Sequence, residues 1–286
     1  MLLVVGTVPD AAFPVVEGKA ELAGGRLLVA GRDIPVNRGT AALLAAAAAT
    51  LKYCRRPSPV ACLAGDIGTG QGSRRLYEYL VNTLPDRKFG VICFHYLQPD
   101  VDWHNRVLFA VQEMQPRPLL IADAGFMYVA KMSGQAAEYD LFTPDAGELA
   151  FLADETAPHP FYTRGFILHD DNKVPDLIAR TFEHHNASRY ILAKGETDFL
   201  ADSGGILATV AEPRIDALEA IGGTGDTLTG ITAGLLAAGL DLKAAAVLAA
   251  RANRLAGLLA HPTPATQVGE IIAHLPRALE ELRISN

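Results

Sequence analysis

The chain has little that would staple it covalently or hold it to a membrane. Its 286 residues include three cysteines, Cys54, Cys62 and Cys93, an odd count with no CxxC pair. That argues against a disulfide framework and fits a reducing cytoplasm. No apolar run reaches the roughly 20 residues a membrane helix needs; the longest are the Ala-rich run after Thr40 and the segment Thr227 to Leu240. Basic clusters are also missing, and the formal net charge is −7, so neither nucleic acid nor an anionic membrane surface is an expected partner. The N-terminus, MLLVVGTVPD, has no basic n-region and reaches an acid at Asp10, which reads as no secretory signal. There is no HExxH and no Cys/His cluster, so no protein-bound metal is expected and the histidines carry little. With no low-complexity linker and no internal repeat, one domain over residues 1–286 is the simplest organisation.

What is present is a regular alternation. Leu2–Val5, Val60–Leu63, Val91–Phe94, Leu119–Ala122, Leu141–Thr143 and Tyr190–Ala193 are short Val/Ile/Leu-rich runs without polar alternation, the pattern of strands buried on both faces. Between them lie helical stripes: Leu76, Leu80 and Leu84 behind a Ser73 cap, and Trp103, Val107, Val111 and Met114. Val268, Ile271, Ile272, Leu275, Leu279 and Leu282 mark one last packing helix. This predicts a three-layer αβα domain with a mostly parallel sheet. Residues 14–36, rich in Gly and Pro, read as hairpins, and Asp198–Val210 as an antiparallel element near one sheet edge.

The most informative segment is Gly222-Gly223-Thr224-Gly225-Asp226-Thr227-Leu228-Thr229-Gly230, which opens a helix of small and apolar residues. Glycines before a helix let backbone approach a ligand, and the free N–H groups with the helix dipole attract anions. It is no Walker loop, since no Gly-Lys-Ser/Thr follows. Asp226 beside a bound phosphate is suited to taking a proton from a substrate hydroxyl; the plainer alternative makes it an N-cap. Asp123 ends a strand, where ligands gather in open α/β sheets, or caps the next helix. Asp145 and Glu148, three apart at a helix start, can organise a metal–water shell around phosphates, and also fit a capping box. Lys194-Gly195 closes another strand, where the lysine either reaches a phosphate or stays solvated.

Together these segments resemble the ribokinase superfamily along nearly the whole chain. Gly222–Gly230 is similar to the signature of ATP- or ADP-dependent NAD(P)H-hydrate dehydratases, metabolite-repair enzymes, and Thr143-Pro144-Asp145-Ala146-Gly147-Glu148 to that branch's Thr-Pro-His-Pro-Gly-Glu. The resemblance implies Asp226 as catalytic acid–base. It implies Lys194, Gly195, Gly222, Gly223, Thr224 and Gly225 around the nucleotide, and Asp123, Asp145 and Glu148 towards the substrate and metal–phosphate region. Asp145 stands where the branch has a substrate-touching histidine. The branch's Gly-Pro-Gly-Leu-Gly loop is matched by position by Phe94-His95-Tyr96-Leu97-Gln98-Pro99, while the nearest glycine cluster is Gly65-Asp66-Ile67-Gly68-Thr69-Gly70.

The N-terminal half resembles sugar kinases of the same superfamily. Val5-Gly6-Thr7-Val8-Pro9-Asp10 is similar to a first-strand motif whose acid, here Asp10, binds sugar hydroxyls, and residues 14–36 stand where those kinases carry a β-lid. The resemblance therefore implies an enzyme using ATP or ADP, with Mg²⁺ carried by the nucleotide. Its leading function is dehydration of hydrated NAD(P)H; the alternatives are a kinase for a sugar or hydroxymethyl compound and an inactive nucleotide sensor. A cytoplasmic homo-oligomer is expected, because the N-terminal hairpins are placed to cover a neighbour's site.

Overall fold

The computed structural model describes residues 1–156 and 173–282. Strands β1 (Leu2–Val8), β2 (Val16–Ala23), β3 (Arg26–Val29), β4 (Arg32–Ile34), β5 (Val60–Gly65), β6 (Val91–His95), β7 (Leu119–Ala122), β8 (Leu141–Phe142), β9 (Tyr190–Ala193), β10 (Asp198–Asp202) and β11 (Gly205–Val210) form one sheet. Their order is β11-β10-β9-β8-β7-β6-β1-β5-β2-β3-β4. The central strands are apolar along nearly their whole length because each is buried between two helix layers, whereas the edge strands β2–β4 and β11 alternate or are exposed. The six strands from β5 to β9 through β1 are parallel. Both edges, not one, are antiparallel: β10–β11 beyond β9, and β2–β3–β4 beyond β5. The hairpin-prone residues 14–36 thus extend the sheet, with β2 hydrogen-bonded along β5.

Helices α1 (Gly39–Tyr53), α7 (Thr224–Ala238), α8 (Leu242–Leu259), α9 (Val268–Ile272) and α10 (Leu275–Glu281) cover one face, against Leu2, Val4, Cys93 and Ile121. Helices α2 (Gln71–Thr83), α3 (Val101–Gln112) and α4 (Gly125–Met132) cover the other, against Leu3, Val5, Ile92 and Phe94. Helices α5 (Ala146–Ala153) and α6 (Val174–Glu183) pack on Ile191 and Ala193 of β9. No helix among the described residues is long and apolar enough to cross a membrane.

Three local expectations change. The C-terminal stripe is two helices, because the chain turns at Ala273-His274. Ser73 lies inside α2, whose N-cap is Gly70; its hydroxyl and N–H both donate to Asp66, 2.9 Å each. Asp66 also accepts the Gly68 and Gly70 N–H groups, so that glycine cluster closes on its own acid. The Ala-rich run is α1, and it approaches α7 closely. A Cβ on Gly230 would collide with the Leu43 carbonyl, and one on Gly234 would lie 3.0 Å from Thr50. The glycines of the second half of α7 therefore serve packing.

Candidate functional site

The strand order reverses around β1, whose neighbours are β5 on one side and β6 on the other. In open α/β sheets the crevice at such a reversal, at the carboxyl ends, is where ligands bind. Four neighbouring strands each deliver one ionisable group there: His95 closes β6, Asp123 follows β7, Asp145 lies beyond β8 and Lys194 follows β9. Two of these ends carry left-handed non-glycine backbone, Tyr96 at φ 52° and Ala124 at φ 53°. Strain of this kind is held only where surrounding structure fixes it, and it recurs at functional sites.

Asp226 faces these ends from α7. It is not the N-cap; Gly223 is, with φ 100°, and no side chain caps the helix. Asp226 is instead the third helical residue, and its carboxylate is held from two other elements. Gly39 N–H, at the start of α1, donates to Oδ2 at 2.7 Å, and His95 Nε2 lies 3.0 Å from Oδ1. Burial pushes this acid up, but the His95 hydrogen bond, the charges of His95 and Lys194, and the Gly39 N–H outweigh it and hold it at about 2. His95, which the sequence offered only as part of the segment standing at the branch's glycine loop, is the residue whose role here it did not show. Its ring is 1 % exposed, its Nδ1 lies 2.9 Å from Thr40 Oγ1, and its Nε2 is also 3.9 Å from Asp123 Oδ2. Gly6 makes room for this arrangement, since a Cβ there would sit 2.6 Å from Thr40 Cγ2.

Asp123 does cap locally, accepting from Ala124 N–H, but its main partners come from afar. Lys194 Nζ donates to both its oxygens at 2.9 and 3.0 Å, and Thr229 Oγ1 donates at 2.6 Å. Lys194 is thus no solvated strand-end lysine: its side chain is 10 % exposed. Burial alone would lower its pKa, yet Asp123, Glu148 and Asp226 keep it raised. Gly195 follows in a turn fixed by Arg254 of α8, which donates to the Gly195 and Glu196 carbonyls and to Asp198.

Of the two sequence readings of Asp145 and Glu148, the structure shows the capping box. They form a reciprocal capping box at α5, and both line the cleft. Burial, helped by the charges of Asp123 and Asp145, raises the Glu148 carboxyl against the opposing pull of Lys194, to about 8.

The cleft measures about 630 Å³ and is open on one side. Gly223, Thr224, Gly225 and Asp226 form one wall, and Asp123, Lys194 and Gly195 the floor opposite. A Cβ on Gly225 would rest 3.7 Å from Lys194 Nζ, so the uncapped end of α7 and the ammonium group converge on one spot. Gly222 precedes this wall, in van der Waals reach of Arg38. Asp10 is not brought here: its carboxylate accepts from Ala12 N–H in its own turn, outside the lining. Arg38, Tyr96, Arg214 and Asn253 line the cleft without any motif to announce them. Asn253 fastens the start of α7, bonding Thr227 Oγ1 and the Thr224 carbonyl.

Fold and cleft together define the class, a ribokinase-like αβα protein. A ribokinase-like superfamily protein from Enterococcus faecalis superposes with a TM-score of 0.60 at 16% identity, covering 98% of this chain and 86% of that one. The ADP/ATP-dependent NAD(P)H-hydrate dehydratase of Bacillus subtilis, co-crystallized with ATP/Mg²⁺, superposes at 0.57 and 17% identity, covering 99% and 90%. In sequence, the family model described as NAD(P)H-hydrate dehydratase matches residues 98–277. The chain belongs to that family. An uncharacterized protein of Methanocaldococcus jannaschii is 40% identical over 239 residues, 83% of this chain and 98% of that protein.

Proposed function

We propose that this protein is an ATP- or ADP-dependent NAD(P)H-hydrate dehydratase whose acid–base is Asp226. The observation that carries the reading is the position of Asp226: an ionised carboxylate, held by His95 and Gly39, beside the uncapped start of α7 and facing Lys194. A phosphate fits the space between the α7 N–H groups and Lys194, because both supply positive potential. Its terminal phosphorus then lies within reach of a hydroxyl whose proton Asp226 accepts.

In this mechanism the hydrate's hydroxyl gives its proton to Asp226 and its oxygen bonds to the terminal phosphorus. The bond from that phosphorus to the rest of the nucleotide breaks, with the electrons leaving on the nucleotide. The hydrate's ring nitrogen then pushes its lone pair towards the phosphorylated carbon, and phosphate departs. The departing phosphate takes a proton from the adjacent carbon, which restores the conjugated dihydropyridine. Lys194 and the Gly223–Gly225 backbone hold the phosphates, Gly195 borders the nucleotide, and Asp123 fixes Lys194. The Asp145 carboxylate would be a hard oxygen donor to the water shell of nucleotide-borne Mg²⁺, and Glu148 would become one on giving up its proton beside that cation, which neutralises phosphate charge when bound. Asp145 also stands where the substrate is expected.

The test is incubation of the protein with Mg²⁺, ATP or ADP, and chemically hydrated NADH or NADPH. Near-ultraviolet absorbance should return. A flat trace with both hydrates, from protein shown to bind nucleotide, would overturn the reading.

A further inference from the structure

His95 takes no proton in the proposed reaction and touches no substrate there, yet the fold goes to some length to place it against Asp226. It sits at the last position of β6 and is wholly buried. Left-handed Tyr96 follows it, and the absent side chain of Gly6 admits Thr40 to it. Both ring nitrogens have partners: Thr40 Oγ1 at 2.9 Å on Nδ1 and Asp226 Oδ1 at 3.0 Å on Nε2. With Asp226 ionised, an Nε2 lone pair would face a negative oxygen, so Nε2 carries the proton. Nδ1 meets the Thr40 hydroxyl, which can either donate to it or accept from it. The chain of hydrogen bonds runs from Thr40 through His95 to Asp226, while Gly39 N–H holds the other carboxylate oxygen.

We propose that His95 is the positioning residue of the site, fixing through Nε2–H the direction in which Asp226 presents its remaining lone pairs to the substrate hydroxyl. This rests on Asp226 being the acid–base of the dehydratase reading. A carboxylate on a helix has rotamer freedom, and a misplacement of about 1 Å can cost on the order of 10²-fold in rate. Two donors from β6 and α1, elements that α7 does not itself contain, remove that freedom. The ionisable groups facing Asp226 are His95 from β6, Lys194 from β9 and Tyr96 beyond β6, with Asp123 of β7 on the far side of the same ring nitrogen. Among them only His95 donates directly to the carboxylate. Loss of the imidazole therefore leaves burial with less to oppose it, and the Asp226 pKa must rise.

The experiment follows the Asp226 carboxyl carbon by NMR in full-length, ¹³C-Asp-labelled protein, its signal identified by its loss in Asp226→Asn. In His95→Leu the midpoint should rise by about one unit or more. In His95→Gln, whose amide can donate to the same oxygen but carries no charge, it should rise less than in His95→Leu. Thr40→Val, which keeps the ring but frees it to turn, should fall between them and serves if His95→Leu does not fold. Turnover on hydrated NADH should drop by about 10²-fold in His95→Leu with KM for nucleotide unchanged and the acid limb of the pH profile moved upward; His95→Gln should recover most of it. A carboxyl that does not move in folded His95→Leu, or in Thr40→Val where that variant is the one available, would overturn the proposal whatever turnover does. Wild-type protein inert towards hydrates, with the carboxyl shift intact, would instead remove the dehydratase reading and leave the His95–Asp226 coupling standing.

Discussion

Lys194 Nζ lies 2.9 and 3.0 Å from the two oxygens of Asp123, so the lysine that closes β9 reaches across β8 to the acid that follows β7. The pair is nearly dry, and removing one member of such a pair costs more than the pair contributes, because the other charge stays buried. Lys194→Met should destabilise the fold by about 3 kcal/mol in urea unfolding. Adding Asp123→Asn should restore part of that loss. Strictly additive losses would show that the two groups are independent.

Glu148 supplies a pH dependence of the opposite sense to most carboxylates. Its folded pKa of about 8 lies above the ordinary value of 4.5, so the folded chain holds this proton more tightly than the unfolded one. The stabilisation is complete below the ordinary value and is lost as pH rises through about 8. Glu148→Gln removes the titration. The variant should therefore gain stability relative to wild type between pH 5 and pH 9, read from paired urea curves. A constant difference across that window would contradict the shift.

Asp226→Asn keeps the size of the side chain and an acceptor for Gly39 N–H but cannot take a proton. Turnover should fall by roughly 10²–10⁴-fold with nucleotide affinity little changed. A near-normal rate would return Asp226 to a purely structural role.

Gly225 and Gly230 lie five residues apart on α7 and should answer differently to added carbon. At Gly225 a Cβ makes only ordinary contact with Lys194, so Gly225→Val should fold, yet fill the space between α7 and the lysine and abolish nucleotide binding by calorimetry. At Gly230 a Cβ meets the Leu43 backbone carbonyl of α1. Gly230→Ala should cost about 1–3 kcal/mol of stability while leaving the affinity of the folded fraction intact.

The parts of the site that were readable in the sequence are those defined by neighbours along the chain. The glycine wall and Asp226 stand within five residues of one another. The capping box of Asp145 and Glu148 spans four. The strands showed because burial on both faces leaves an unbroken apolar run, as at Val91–Phe94. His95 did not show, since its meaning depends on Asp226, 131 residues later, and on Thr40, 55 residues earlier. One histidine at the end of an apolar run carries no local mark. Lys194 was readable as a strand-end lysine, but its burial comes from Asp123, 71 residues away. Asp10 had the residue type and the place after β1, yet the turn at Asp10–Phe13 folds its carboxylate onto Ala12.

The most direct test of the proposed reaction is the fate of the terminal phosphoryl group, followed by ³¹P NMR together with absorbance in one reaction. The protein is mixed with Mg²⁺, ATP or ADP, and hydrated NADH. The expected result is free inorganic phosphate and regenerated NADH appearing in equal amounts, both abolished in Asp226→Asn. A stable phosphate ester, with no return of near-ultraviolet absorbance, would contradict the dehydratase and make the protein a kinase.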